Sequence, residues 1–179
     1  MRPLRSLMTS LFICAIAVAA HAHGPTPQKV EESVEIAAPP AKVWDIIKDF
    51  DKIADWNPAL SKSEGKGGNG SGATRTITFK AGGELEEGLD YYGGDKEMSY
   101  LYRLGKEKVD VFPVSSYTAE ITVKPGANGG SQVTWLGRFY RADTGNEPPP
   151  DKNDAAATKA MKDYITTGLR GLKAKAEGK

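Results

Sequence analysis

Glu87 is the residue best placed by its spacing to do acid–base chemistry. It shares the parity of Leu85, Leu89 and Tyr91 along an alternating stretch, so an apolar strand face carries one carboxylate. A carboxyl in such surroundings has a raised pKa and can act as a general acid or base near neutral pH. Two other readings stand beside this one. A bulge at Gly88 would turn Glu87 to solvent, and Arg75, with the parity of Ile77 and Phe79, would neutralise it as an ion-pair partner.

Other chemistry is poorly supplied. There is no G-x-S-x-G and no H-E-x-x-H, and the chain holds 1 Cys and 2 His. Zinc and copper sites recruit several such ligands, so no metal and no cofactor is expected. His23 is the one weak metal candidate. A chain cut after Ala20 would begin His21-Ala22-His23, whose amine, amides and imidazole can hold Cu(II); a cut after Ala22 leaves His23 alone. Gly65-Lys66-Gly67-Gly68-Asn69-Gly70 matches G-x-G-x-x-G, but it leads into the strand-like Thr74-Arg75-Thr76-Ile77. Phosphate binding needs a helix N-terminus there, so the run reads as a flexible turn. Glu84, Glu86, Glu87, Asp90, Asp95 and Glu97, opposed only by Lys96, read as a solvated face or as a patch that steers docking at low salt.

The aromatic residues carry more information. Trp56, Tyr91, Tyr100, Tyr102 and Tyr117 are expected to face one interior space, with Leu89 beside them. Trp135 and Phe139 join from a later strand, and Met161, Tyr164 and Gly168 from the last helix. Tyr and Trp have an apolar body and a polar tip, which suits the lining of a ligand cavity. The alternative is a core filled by these side chains. Gly168 and Gly171 bear on that choice: glycine costs about 1 kcal/mol against alanine in a helix, so two in one helix signal close packing or room left for a ligand.

The elements that must position these residues are legible from periodicity. Residues 29–36 alternate as a half-buried strand, and Pro39-Pro40 opens a helix carrying Val43, Ile46, Ile47 and Phe50. Residues 51–58 make a second short helical turn, stopped by Pro58. Strands follow at about 60–65, 74–79, 84–92, 97–104, 116–124 and 132–141, an antiparallel meander. After Pro148-Pro149-Pro150, with Asp151 as the expected cap, a helix runs over about 152–175.

The N-terminus reads as an export signal. Arg2 and Arg5 precede an uncharged run from Leu7 to Ala20, and Ala20-His21-Ala22 offers a small-x-small cleavage site. Residues 1–22 are therefore expected to be a signal peptide and 23–28 a flexible lead-in, with one domain over 29–176. Cleavage removes Cys14, Arg2 and Arg5, leaving 22 basic against 23 acidic residues. A near-neutral domain favours neither nucleic acid nor an anionic membrane, and no second apolar stretch predicts stable membrane insertion.

Four stretches together resemble the START-like, or SRPBCC, superfamily, which includes the polyketide cyclase-like proteins. They are Val34-Glu35-Ile36 leading through Pro39-Pro40 to Val43-Trp44; Phe50-Asp51 with Trp56-Asn57-Pro58; Gly88-Leu89 with Met98-Ser99-Tyr100; and Thr134-Trp135 with Phe139. The resemblance implies an α+β, helix-grip (START/Bet v 1-like) fold. In it a curved antiparallel sheet wraps around a long C-terminal helix, with two short helices after strand 1. Joined to an export signal, and with Val114-Ser115-Ser116-Tyr117 and the 135–140 strand, it is similar to the MxaD-type branch. That likeness implies a periplasmic, non-enzymatic accessory role in methanol oxidation, with methanol dehydrogenase and its cytochrome c as partners. A periplasmic binding protein for a small hydrophobic or aromatic ligand is the alternative, and a cyclase- or hydratase-like enzyme using Glu87 a further one.

Overall fold

A computed structural model describes residues 24–179. The expected signal peptide, residues 1–22, and the metal candidate His23 lie outside the described residues. The chain forms β1 (Gln28–Ile36), α1 (Pro40–Ile47), a 3₁₀ turn (Phe50–Asp55), β2 (Leu60–Lys66), β3 (Thr74–Phe79) and β4 (Glu84–Tyr92). It continues through α2 (Gly94–Glu97), β5 (Ser99–Leu104), β6 (Val114–Pro125), β7 (Ser131–Arg141) and α3 (Asp154–Glu177). The seven strands make one antiparallel sheet in the order β1-β7-β6-β5-β4-β3-β2. It curves around α3 in the α+β helix-grip arrangement.

Alternation dictates the two faces. On β6, Tyr117, Ala119, Ile121 and Val123 are buried, whereas Ser116 and Thr118 are exposed; on β7, Val133, Trp135, Gly137 and Phe139 point inward. The α3 stripe of Ala157, Met161, Tyr164, Ile165, Gly168, Leu169 and Leu172 closes the inner face. Asn153, not Asp151, caps this helix, its Oδ1 accepting the Ala156 N–H at 2.9 Å. Two positions nearer the helix, it is the side chain that can reach that amide. The far end is tied down where the Ala37 N–H donates to Glu177 Oε1 at 3.1 Å and Lys42 Nζ donates to the Ala176 carbonyl at 2.9 Å.

Two local features depart from a plain meander. A helical turn, α2, occupies Gly94–Glu97, so β5 begins at Ser99 rather than 97; Trp44 Nε1 donates to Asp95 Oδ1 at 2.8 Å and holds α2 against α1. A bulge interrupts β4: Leu89 opposes Tyr102, yet Tyr91 opposes Leu101 and Tyr92 opposes Tyr100. The extra residue, Asp90, shifts the parity by one. Tyr92 consequently packs inward on Trp44, their rings 5.8 Å apart, while Tyr91 is 48% exposed. Among the described residues, no helix is long and apolar enough to cross a membrane.

Candidate functional site

Register places Arg75 of β3 directly opposite Glu87 of β4, and both side chains point inward. Arg75 Nε donates to Glu87 Oε2 at 2.5 Å, and both side chains are fully shielded from solvent. The other carboxylate oxygen accepts from the Tyr117 hydroxyl. Arg75 Nη1 donates to the Phe50 carbonyl at 2.7 Å, and the guanidinium carbon sits 4.1 Å from the Phe50 ring centre and 4.6 Å from that of Tyr102. Cation–π attraction on these faces adds to the ion pair. Burial is the largest influence on the Arg75 charge and works against it, but Glu87 together with the Tyr100, Tyr102 and Tyr164 side chains more than offsets it, so the pKa lies above the ordinary value. Of the readings open for Glu87, the arginine partnership is the one the structure contains.

Aromatic rings surround this pair. Trp135 Nε1 donates to the Tyr102 hydroxyl at 3.1 Å, Trp56 lies 5.5 Å from Trp135, and Trp135 lies 5.3 Å from Tyr164. Burial pushes the Tyr100 pKa up to about 12. It raises those of Tyr102, Tyr117 and Tyr164 well above the ordinary value, with the Glu87 charge adding to the rise. Several polar tips remain unpaired: Trp56 Nε1, Asn57 Nδ2, Arg75 Nη2 and the hydroxyls of Tyr100 and Tyr164. Tyr100 faces Arg75 and Tyr164 faces Asn57 without reaching hydrogen-bond geometry.

The structure thus gathers Trp56, Leu89, Tyr100, Tyr102, Tyr117 and Trp135 with Phe139, Met161, Tyr164 and Gly168 in one buried cluster. Tyr91 does not join them. The Asp90 bulge turns it to the outer face, where its hydroxyl donates to Glu97 Oε2 at 2.7 Å. The Gly168 position leaves no room for a ligand. A Cβ there would lie 2.5 Å from Trp135 Cζ3, and one at Gly171 would lie 2.3 Å from both the Trp56 carbonyl oxygen and Pro58 Cδ. Phe112 is a core residue that the sequence reading did not place, because it lies in an aperiodic connection between β5 and β6. Phe50 is legible as a helix-face residue and Trp44 only as part of the family-like stretch, neither as a wall of the site.

The space between sheet and helix is occupied by these side chains. At its edge opens a recess of about 370 Å³, lined by Phe79, Lys80, Val111 and Phe112 with Asp163 and Tyr164 of α3 among others. A wider depression of about 520 Å³ lies by the β6–β7 turn, Lys173 and Glu177 and touches none of the buried aromatic cluster.

The remaining sequence motifs resolve into structural roles. The glycine run forms the β2–β3 turn and opens no helix. It is also more than a flexible turn: Asn69 Oδ1 accepts the Phe50 N–H at 2.9 Å, and a Cβ at Gly65 would lie 2.4 Å from Asp51 Cβ. The acidic stretch disperses, with Glu87 turned inward, Asp90 on Arg103, Asp95 on Trp44 and Glu97 on Tyr91. Among the described residues, no three His, Cys, Asp or Glu side chains gather as a metal site.

Residues 27–177 match a family model described as "Polyketide cyclase / dehydrase and lipid transport". Among solved structures, the chain is similar to the protein XoxI from Bacillus cereus, at 28% identity over 82% of this chain and 94% of that one, with a TM-score of 0.68. A putative uncharacterized protein from Bacillus thuringiensis is 27% identical over 83% of this chain and 98% of that one, with a TM-score of 0.68. Ara h 8.0201, at 18% identity over 86% of this chain and 100% of that one and a TM-score of 0.65, shares the fold. No curated protein gives a significant match.

Proposed function

We propose that this chain, which belongs to the polyketide cyclase / dehydrase and lipid transport family, is an exported, non-enzymatic accessory protein of methanol oxidation. In this reading it resembles the MxaD-type proteins and assists the encounter of methanol dehydrogenase with its cytochrome c acceptor in the periplasm. The observation that carries the reading is the filled interior. Glu87 accepts from Arg75 and from Tyr117 in the middle of the grip, ringed by aromatic side chains, which favours the surface as the part of the molecule that acts. Glu87 is engaged at both oxygens, by Arg75 and by Tyr117.

The test is the rate of methanol-dependent cytochrome c reduction with purified dehydrogenase, with and without this protein, at low ionic strength. Faster reduction and measurable binding support the reading. Unchanged rates together with no binding overturn it.

The recess beside Tyr164 favours a second reading, a carrier of a small hydrophobic or aromatic molecule. Most of its wall is apolar, with Lys80 and Asp163 also lining it, and Phe79 and Phe112 stack there at 5.8 Å. Native mass spectrometry of protein taken from its own host distinguishes the two, since a carrier retains a ligand. A cyclase- or hydratase-like use of Glu87 is the third reading, and it requires an activity that Glu87→Gln abolishes.

A further inference from the structure

The outer face of the sheet carries a basic row that the cross-strand register creates. Arg103 of β5 opposes Thr118 of β6, Thr118 opposes Arg138 of β7, and Arg138 opposes Lys29 of β1. All four side chains are exposed. Neighbouring strands lie about 4.8 Å apart, which sets the Arg103 and Arg138 backbones roughly 10 Å from each other across Thr118. Two arginine side chains at that separation can close on one anion, with the threonine hydroxyl as a third donor between them. Beside the row, Pro27, Leu104, Ser116 and Tyr140 border a recess of about 370 Å³, and Tyr140 is 38% exposed.

The ion pairs nearby leave this row available. Arg103 meets Asp90 while its own side chain stays 60% exposed, and Lys29 meets Glu31 at 2.5 Å. Arg138 lies in the field of Glu31 but forms no ion pair within 4 Å among the described residues. The next outward row, Glu31–Leu136–Glu120–Leu101, carries acids at two of its positions. A negative group is therefore drawn to the arginine row and repelled one row further on, a difference that fixes its register.

We propose that the Arg103–Thr118–Arg138 row is the docking surface for an acidic segment of a partner protein. A carboxylate of that segment sits over Thr118 between the two guanidiniums, and an adjacent apolar side chain lies against Tyr140 and Leu104. The planar guanidinium suits a carboxylate, and Arg and Tyr are the side chains that dominate protein contacts. The recess lies beside an exposed basic row on a broad sheet face, so it fits a protein surface. This rests on the accessory-protein reading and names where its contact is made.

The test titrates isotope-labelled protein with an acetylated, amidated peptide of Glu and Asp around one Phe, and with its lysine counterpart. Amide shifts centred on residues 103, 118, 138 and 140 are expected with the acidic peptide only, weakening about tenfold between about 20 and about 200 mM salt. Arg103→Glu combined with Arg138→Glu should abolish them, while Lys66→Glu on β2 should not; near-ultraviolet circular dichroism verifies that both variants fold. Equal response to the lysine peptide, shifts centred elsewhere, or a stronger response to phosphatidylglycerol vesicles would overturn the proposal.

Binding of methanol dehydrogenase and its cytochrome c is measured in parallel with the same variants. Peptide docking at the row without either protein binding would overturn the methanol-oxidation assignment and leave the surface standing. Protein binding that survives the double arginine substitution would overturn the surface and leave the assignment standing.

Discussion

Arg75 and Glu87 are cross-strand partners whose charges meet at 2.5 Å in the centre of the fold, out of reach of solvent. Both charges have given up their hydration, so each depends on the other. The Phe50 carbonyl, the Tyr117 hydroxyl and the two aromatic faces on Arg75 supply the rest of what water provided.

Removing one partner should therefore cost more than removing both. Glu87→Gln leaves a buried guanidinium without a counter-charge and should lower unfolding stability by about 3–5 kcal/mol. Arg75→Met combined with Glu87→Leu should recover most of that loss. Urea denaturation of the three proteins checks it, and equal losses in the single and double variants would contradict it.

The α3 glycines set helix propensity against space. Alanine at position 168 or 171 gains about 1 kcal/mol of propensity, but its Cβ would meet Trp135 or the Trp56 carbonyl and Pro58 at 2.5 Å or less. Overpacking of that kind costs about 1–3 kcal/mol. Gly171→Ala should be the worse, since backbone and a proline ring cannot rotate away. Gly88→Ala meets nothing within 4 Å and should be neutral or mildly stabilising. Thermal melts of the three variants give the order.

The buried tyrosines predict an alkaline limit. The folded pKa values of Tyr100, Tyr102, Tyr117 and Tyr164 are raised by burial, to about 12 for Tyr100, against an ordinary value of 10.0. The folded state then holds protons that the unfolded chain releases. Their contribution is complete below pH 10 and is lost as pH rises toward 12 and beyond. Absorbance at 295 nm should show these four ionising together with loss of near-ultraviolet circular dichroism. Ionisation of all four in a molecule that stays folded would contradict it.

Asn69 joins the glycine-rich turn to the 3₁₀ segment. Asn69→Ala leaves the part-buried Phe50 N–H without its acceptor and should cost about 1–3 kcal/mol. It should also speed hydrogen exchange at Phe50. Unchanged exchange there would mean that the tie does not hold the turn.

Much of the fold was legible because its signals are local. Strand alternation over 74–79 and 84–92 and the apolar stripe of α3 each follow from one element's own period, and the observed bounds coincide or differ by a few residues. The same parity placed Arg75 and Glu87 on the inner face. It failed at Tyr91, because a one-residue bulge at Asp90 inverts everything after it and leaves no mark in the alternation of β4 alone. The α2 turn was missed for a related reason: Gly94–Glu97 is too short for helical periodicity to show.

The sequence by itself determined the order of elements, the face of each side chain wherever the period is unbroken, and the scarcity of cysteine and histidine. Those are properties of residue types and of distances along one chain. Only the tertiary structure decided that Arg75 meets Glu87, that Gly168 and Gly171 admit Trp135 and Pro58 rather than a ligand, and that Arg103 and Arg138 share a row. Each depends on register between strands or on the approach of elements distant in sequence. Volume and charge compete there in three dimensions, and no single segment carries the outcome.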